Sequence, residues 1–123
     1  MARSVKIGFP VNFKKAKIPS KKIINGKYVV LEPININRHS KGLYENFSKD
    51  KKNRIWTYLS YGPFKSYVSF KNWLKSFCLN KDPFFYAIYA KRHKRYCGMV
   101  SYLRITPEHG SIEVGHINYS PIL

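Results

Sequence analysis

Three strand-like runs follow one another at the end of this sequence with almost nothing between them. They are Phe84–Ala90 (FFYAIYA), residues 96–105 (YCGMVSYLRI) and Ser111–Tyr119 (SIEVGHINY). β-Branched and aromatic residues dominate all three, as strands favour. A parallel partner needs a crossover of a dozen or more residues, and neither connector is that long. Residues 91–95 are a basic turn, and residues 106–110 (TPEHG) are a Pro/Gly turn. The three runs therefore have to pair as an antiparallel meander.

Upstream, residues 27–32 (KYVVLE) read as a further strand, stopped by Pro33. Leu43, Tyr44 and Phe47 recur at helical spacing within residues 38–49, although Gly42 weakens that helix. Residues 53–64 (NRIWTYLSYGPF) are an aromatic loop ending in a Gly-Pro-Phe turn. Residues 65–79 carry the strongest helical pattern. Tyr67, Phe70, Trp73, Leu74, Phe77 and Cys78 fall on one face, with Lys71 and Lys75 off it. Asp82-Pro83 closes the segment. The order is β-α-α-β-β-β, an α/β arrangement. At 123 residues the chain has room for one domain. Residues 1–26 read as a basic, irregular N-terminal arm ending at the turn pair Asn25-Gly26, and residues 27–123 as the domain. No helix follows the last strand, which predicts an under-covered sheet face and a domain cut short.

The formal net charge is +17, from 23 basic and 6 acidic side chains. Such an excess points toward anionic partners. It is unevenly spread: residues 1–27 hold eight basic groups and no acid, whereas residues 96–123 hold Arg104 against Glu108 and Glu113. The Lys-, Asn- and Ile-rich composition is equally what a biased codon usage gives. No RNP-type or KH-type motif is present, which disfavours nucleic acid as the partner. No apolar run reaches the ~20 residues of a membrane span. Cys78 and Cys97 are too few for a disulfide framework, and no His/Cys spacing matches a metal site. Free thiols without a secretory leader suit a cytoplasmic protein.

Several local words carry a family resemblance. They are Trp56-Thr57-Tyr58-Leu59 with Tyr61-Gly62-Pro63-Phe64, then Asp82-Pro83, Tyr86-Ala87-Ile88 and Gly98. Ser101 to Ile105, Pro107, and the run Gly110 to Pro121 complete the set. Together with the element order, they resemble the first half of the GNAT acyl-CoA N-acyltransferase fold, in the group related to the RimJ/RimL acetyltransferases. The resemblance implies acetyl transfer from acetyl-CoA to a primary amine, either a protein N-terminus or a small amine. It also implies a pyrophosphate-binding loop and helix after the strand that contains Gly115. Backbone N–H groups at such a helix start hold the anion. The sequence stops at Leu123, so the expectation is a partial fold lacking its C-terminal half, weakly active or inactive alone. A complementary C-terminal fragment would then be a partner. The alternatives are a non-catalytic remnant or split-gene product, and a basic RNA- or ribosome-binding module using residues 1–27 and the aromatic loop.

By the same resemblance, Glu113 is the candidate catalytic base. Apolar neighbours Ile112 and Val114 would raise its pKa toward what a base needs. Strict alternation sets Glu113 on one face with Gly115, Ile117 and Tyr119, and His116 on the other. An ion pair with Arg104 is the competing, structural role for Glu113. His116 is a second candidate, on the strength of an imidazole's suitable pKa. Ile117, Asn118 and Tyr119 take the cofactor positions, where a pantetheine arm adds to the strand edge. Gly115 suits a bulge that opens the strand. Trp56, Tyr58, Tyr61 and Phe64 either line the acceptor cleft or plug the sheet. Cys78 and Cys97 read as buried, inert thiols.

Overall fold

A computed structural model describes residues 8–123; the first part of the basic arm, with Arg3 and Lys6, lies outside them. Five strands form one sheet in chain order: β1 (Ile24–Asn25), β2 (Val29–Pro33), β3 (Phe84–Ala90), β4 (Arg95–Thr106) and β5 (Ser111–Tyr119). Every neighbouring pair is antiparallel, so the expected meander is present. Helices α1 (Ile36–Phe47) and α2 (Tyr67–Phe77) lie between β2 and β3 in sequence and share a core with the sheet. The strand β1 inside the arm is a difference from the sequence reading. Asn25-Gly26 turns the chain back, with the Gly26 N–H donating to the Val29 carbonyl at 2.9 Å, and Ile24 pairs with Leu31. A two-residue strand is too short to leave a period in the sequence.

Each helix starts where a small polar residue stands ready to cap it. The Asn35 side chain accepts the Arg38 N–H at 3.0 Å, and the Asn35 N–H donates to His39 Nδ1 at 2.9 Å. Ser66 and Ser69 make a reciprocal capping box at the start of α2. The apolar faces of both helices then close over Phe85, Ala87 and Met99 of the sheet. Leu43, Phe70 and Leu74 are all 1% exposed or less. In the aromatic loop, a 3-10 turn at Arg54–Trp56 drives the Trp56 ring into this core.

One polar cluster sits between α1 and the sheet. Glu32 is buried, accepting from Arg38 Nε at 2.8 Å, His39 Nε2 at 3.3 Å and Tyr96 Oη at 2.8 Å. Burial alone would raise the Glu32 carboxyl, but the Tyr96 and His39 hydrogen bonds and the Arg38 charge hold it below its ordinary value. Burial lowers the His39 imidazole despite the facing Glu32. His39 is therefore neutral, accepting at Nδ1 and donating from Nε2.

The arm crosses the face of the sheet opposite the helices. The Ala16 N–H donates to the Pro107 carbonyl at 2.9 Å, and Tyr86 Oη donates to the Ser20 carbonyl at 3.4 Å. The Phe13 ring lies against Gly110, whose φ is +65°. A Cβ there would come within 2.5 Å of the ring. This face is unevenly covered among the described residues: Tyr86 and Ile88 are buried, whereas Val114 and Tyr119 are 56% and 51% exposed.

Two register shifts between β4 and β5 set the site. Gly115 pairs with Ser101 but Asn118 pairs with Met99, so β5 carries one extra residue there. Nearer the turn, Leu103 pairs with Glu113 but Thr106 pairs with Ser111, so the extra residue is on β4. The residues His116 (φ 49°) and Arg104 (φ 48°) take the left-handed conformation that lets each strand bulge. Asp82 stabilises the second bulge, accepting the N–H groups of Arg104 and Ile105 on its two carboxylate oxygens, each at 3.0 Å.

Two outcomes test this account. Asp82→Ala strands both bulge N–H groups and should lower stability by about 1–2 kcal/mol in urea titration. The second concerns pH. The folded-state pKa values of His39 and Glu32 are both depressed. Their contribution is complete above the unfolded values and is lost as pH falls. The urea midpoint should fall as pH drops below about 6.5, and fall further through the carboxylate range near about 4. A midpoint flat across that span would contradict the buried cluster.

Candidate functional site

The extra residue in β5 moves the predicted site residues between faces. A one-residue insertion reverses side-chain alternation beyond it. Glu113 and Gly115 pair with Leu103 and Ser101, on the side the helices cover. Past the bulge it is Asn118, opposite Met99, that turns toward the helices and is 5% exposed. Ile117 and Tyr119 are 44% and 51% exposed. The expectation that Glu113, Gly115, Ile117 and Tyr119 share one face is therefore corrected. So is the placing of His116 on the far side. Its left-handed backbone swings the imidazole in among Tyr61, Phe77 and Phe85, the last two with ring centroids 5.4 Å away. The bulge expected at Gly115 is present. The Ser101 hydroxyl donates to the Gly115 carbonyl at 3.1 Å and holds it.

The four aromatic residues of the loop separate. Trp56 is buried, edge-on to Phe47 at 5.5 Å and Phe64 at 5.4 Å. Phe64 packs between Phe70 and Trp73. These two line a cavity of about 210 Å³ with Tyr44, Phe47, Asp50 and Lys51. Tyr58 is 98% exposed. Tyr61 meets His116 of β5. Its ring lies 4.4 Å from Trp73 and 5.7 Å from His116, and its hydroxyl is 3.1 Å from His116 Nδ1.

The electrostatics of this pair follow from its surroundings. Burial lowers the His116 imidazole, with Glu113 opposing the shift, so the ring is neutral near pH 7. Burial pushes the Tyr61 phenol far up, with neighbouring Cys78 adding to it. A neutral imidazole beside a protonated phenol can accept a proton through the phenol without forming a phenolate. Glu113 lies differently from the sequence expectation. Its side chain is 47% exposed and pairs with Arg104 Nε at 3.4 Å, rather than sitting among apolar neighbours. Both cysteines are free and buried, and burial raises both thiols.

As the sheet's edge, β5 leaves one row of its backbone N–H and C=O groups without a strand partner among the described residues. The Nδ2 of Asn118, beside this edge, is buried without a hydrogen-bond partner. Among the described residues no three His, Cys, Asp or Glu side chains are grouped as a metal ion would need. No described helix is long and apolar enough to cross a membrane. Sequence reasoning singled out Glu113 and Gly115 but missed the support from Asp82 and Ser101. Their partners are backbone groups exposed by bulges, and only Gly115 signalled a bulge.

No protein-family model and no curated protein matches the chain. Solved structures do. A GCN5-related N-acetyltransferase from Brucella melitensis superposes with a TM-score of 0.87 at 31% identity, over 91% of this chain and 51% of that one. A probable acetyltransferase of the GNAT family from Chromobacterium violaceum gives a TM-score of 0.82 at 30% identity, over 99% of this chain and 62% of that one. A third acetyltransferase structure, 21% identical, shares the fold with a TM-score of 0.64. The chain thus spans between half and two-thirds of the length of the first two. Over the part it spans, its fold is that of the GCN5-related N-acetyltransferases.

Proposed function

We propose that the chain is the amine-side portion of a GNAT-family N-acetyltransferase, of the RimJ/RimL-like group, which moves the acetyl group of acetyl-CoA to a primary amine. The observation that carries this reading is the bulged, unpaired edge of β5, with Gly115 and His116 at its centre. An edge strand with free backbone groups suits an extended ligand that adds to it as a strand does. In this reading Ile117, Asn118 and Tyr119 present that edge to the pantetheine arm of acetyl-CoA. Tyr61 borders the amine, and Trp56 and Phe64 support the cleft from the core. Tyr58 is free to meet an acceptor from solvent. Glu113, paired with Arg104 beside the bulge, favours a cationic amine electrostatically. The reaction is a direct transfer: the amine nitrogen bonds to the acetyl carbon, the C–S bond breaks, and a proton leaves the nitrogen. The protein contributes orientation and a proton path.

Neither helix among the described residues starts from a glycine-rich loop that would cradle a pyrophosphate. The proposal therefore includes a further segment, on the same or another polypeptide, that supplies this anion site. Residues 1–123 by themselves should bind acetyl-CoA only weakly, with Kd above about 0.1 mM, and should turn it over little. Calorimetry with acetyl-CoA and an assay of CoA thiol release with a panel of primary amines check this. With the segment present, micromolar-range binding (about −8 kcal/mol) and amine-dependent release are expected. No binding and no release with that segment present would sink the reading. Robust turnover by residues 1–123 alone would remove only the missing anion site.

A further inference from the structure

We propose that Tyr61 and His116 form a proton relay for the acceptor amine, with Tyr61 Oη as the group that touches the reacting nitrogen and His116 Nδ1 as the final acceptor. This rests on the acetyl-transfer reading above and names the group that removes the proton. The geometry that points to it is specific. The bulge in β5 gives His116 a φ of 49° and turns its ring off the strand's alternation. The ring then stacks obliquely on Tyr61, with an interplanar angle of 28°, and Nδ1 lies 3.1 Å from the phenol oxygen. Phe77 from α2 and Phe85 from β3 also pack against the imidazole, which stays half-buried and open to solvent on one side. Tyr61 is fixed in turn by Trp73 and Phe77. A left-handed non-glycine residue that points a titratable ring into an aromatic pocket is strain of the kind found at functional sites.

Three other ionisable groups act on the pair. Glu113, on β5 itself, raises the imidazole pKa, and Arg104 of β4 engages that carboxylate at 3.4 Å. Cys78, at the end of α2, acts on the phenol and stays a thiol because of its burial. Glu113 is thus the less suited proton acceptor, being half exposed and already paired with a guanidinium.

As the amine nitrogen bonds to the acetyl carbon it becomes positively charged, and one of its two protons becomes acidic. That proton passes to Tyr61 Oη while the phenol's own proton passes to His116 Nδ1. No phenolate forms, so the high phenol pKa is no obstacle. The C–S bond breaks, the sulfur leaves with its electron pair, and the imidazolium proton returns to the sulfur or to water.

The first test is nitrogen NMR of histidine-labelled protein. The relay requires neutral His116 to carry its proton on Nε2, with Nδ1 accepting from Tyr61. In Tyr61→Phe the neutral ring loses that bond, so its pKa should rise. A proton on Nδ1 in the unaltered protein, or the same titration in Tyr61→Phe, overturns the proposal. The second test is the amine acetylation assay with the anion-site segment present. Tyr61→Phe should lower kcat/KM about 100-fold, mostly in kcat, and should move the acid limb of the pH profile. His116→Gln should do the same if it folds; Tyr61→Phe leaves the strained backbone alone and decides the matter if it does not. Acetylation by the unaltered protein with an unaffected Tyr61→Phe variant overturns the relay and leaves the acetyltransferase reading standing. No acetylation by the unaltered protein overturns both.

Discussion

The pairing of β4 with β5 is the constraint on which the site depends. Two antiparallel strands normally keep their side chains in step, and here they fall out of step twice, once on each strand. Each slip needs a residue in the left-handed region, and neither His116 nor Arg104 is a glycine. The unfavourable backbone is held by local hydrogen bonds: Ser101 to the Gly115 carbonyl, and Asp82 to the Arg104 and Ile105 amides. What the sheet gains is a change of direction. The first slip brings an imidazole into an aromatic pocket, and the second turns Arg104 toward Glu113. A regular strand would have sent His116 to the other face of the sheet.

The rest of the molecule keeps that edge in place. Aromatic rings from α1, the loop and α2 interlock over Phe85, and Trp73 and Phe77 pass that rigidity to Tyr61 and His116. On the same face but toward the opposite edge of the sheet from β5, Glu32 gathers Arg38, His39 and Tyr96, locking α1 onto β2 and β4. A buried carboxylate with three donors is worth little against an apolar substitute, but removing one donor is costly. The cluster therefore fixes one position for the helix. A site whose side chains must sit within hydrogen-bond distance of each other needs scaffolding of this stiffness.

Much of this was legible in the residues. Phe84–Ala90 and Ser111–Tyr119 have the bounds expected of them, because their β-branched and aromatic runs end at Pro, Gly and charged turns. The periodicity of Tyr67, Phe70, Leu74 and Phe77 located α2, and the order of elements gave the α/β architecture. The missed strand at Ile24–Asn25 owes its existence to a partner, Val30–Leu31, and not to its own composition. The resemblance to the acetyltransferases was carried by short words around the turns and β5, and solved structures of that fold match over the same stretch.

The site was less legible, and for a specific reason. Alternation along a strand predicts faces only while the register holds, and a bulge is a property of two strands together. Gly115 hinted at one, but nothing in SIEVGHINY says that the extra residue falls at His116 or that its ring meets Tyr61, 55 positions earlier. Trp56, Tyr58, Tyr61 and Phe64 look alike as one aromatic loop, yet the fold buries the first, exposes the second and sets the third on β5. Periodicity and turn residues, being local, determined which segments become helices and strands. Only tertiary structure decided which side chains meet, because register, burial and hydrogen-bond partners are set by residues distant in the chain.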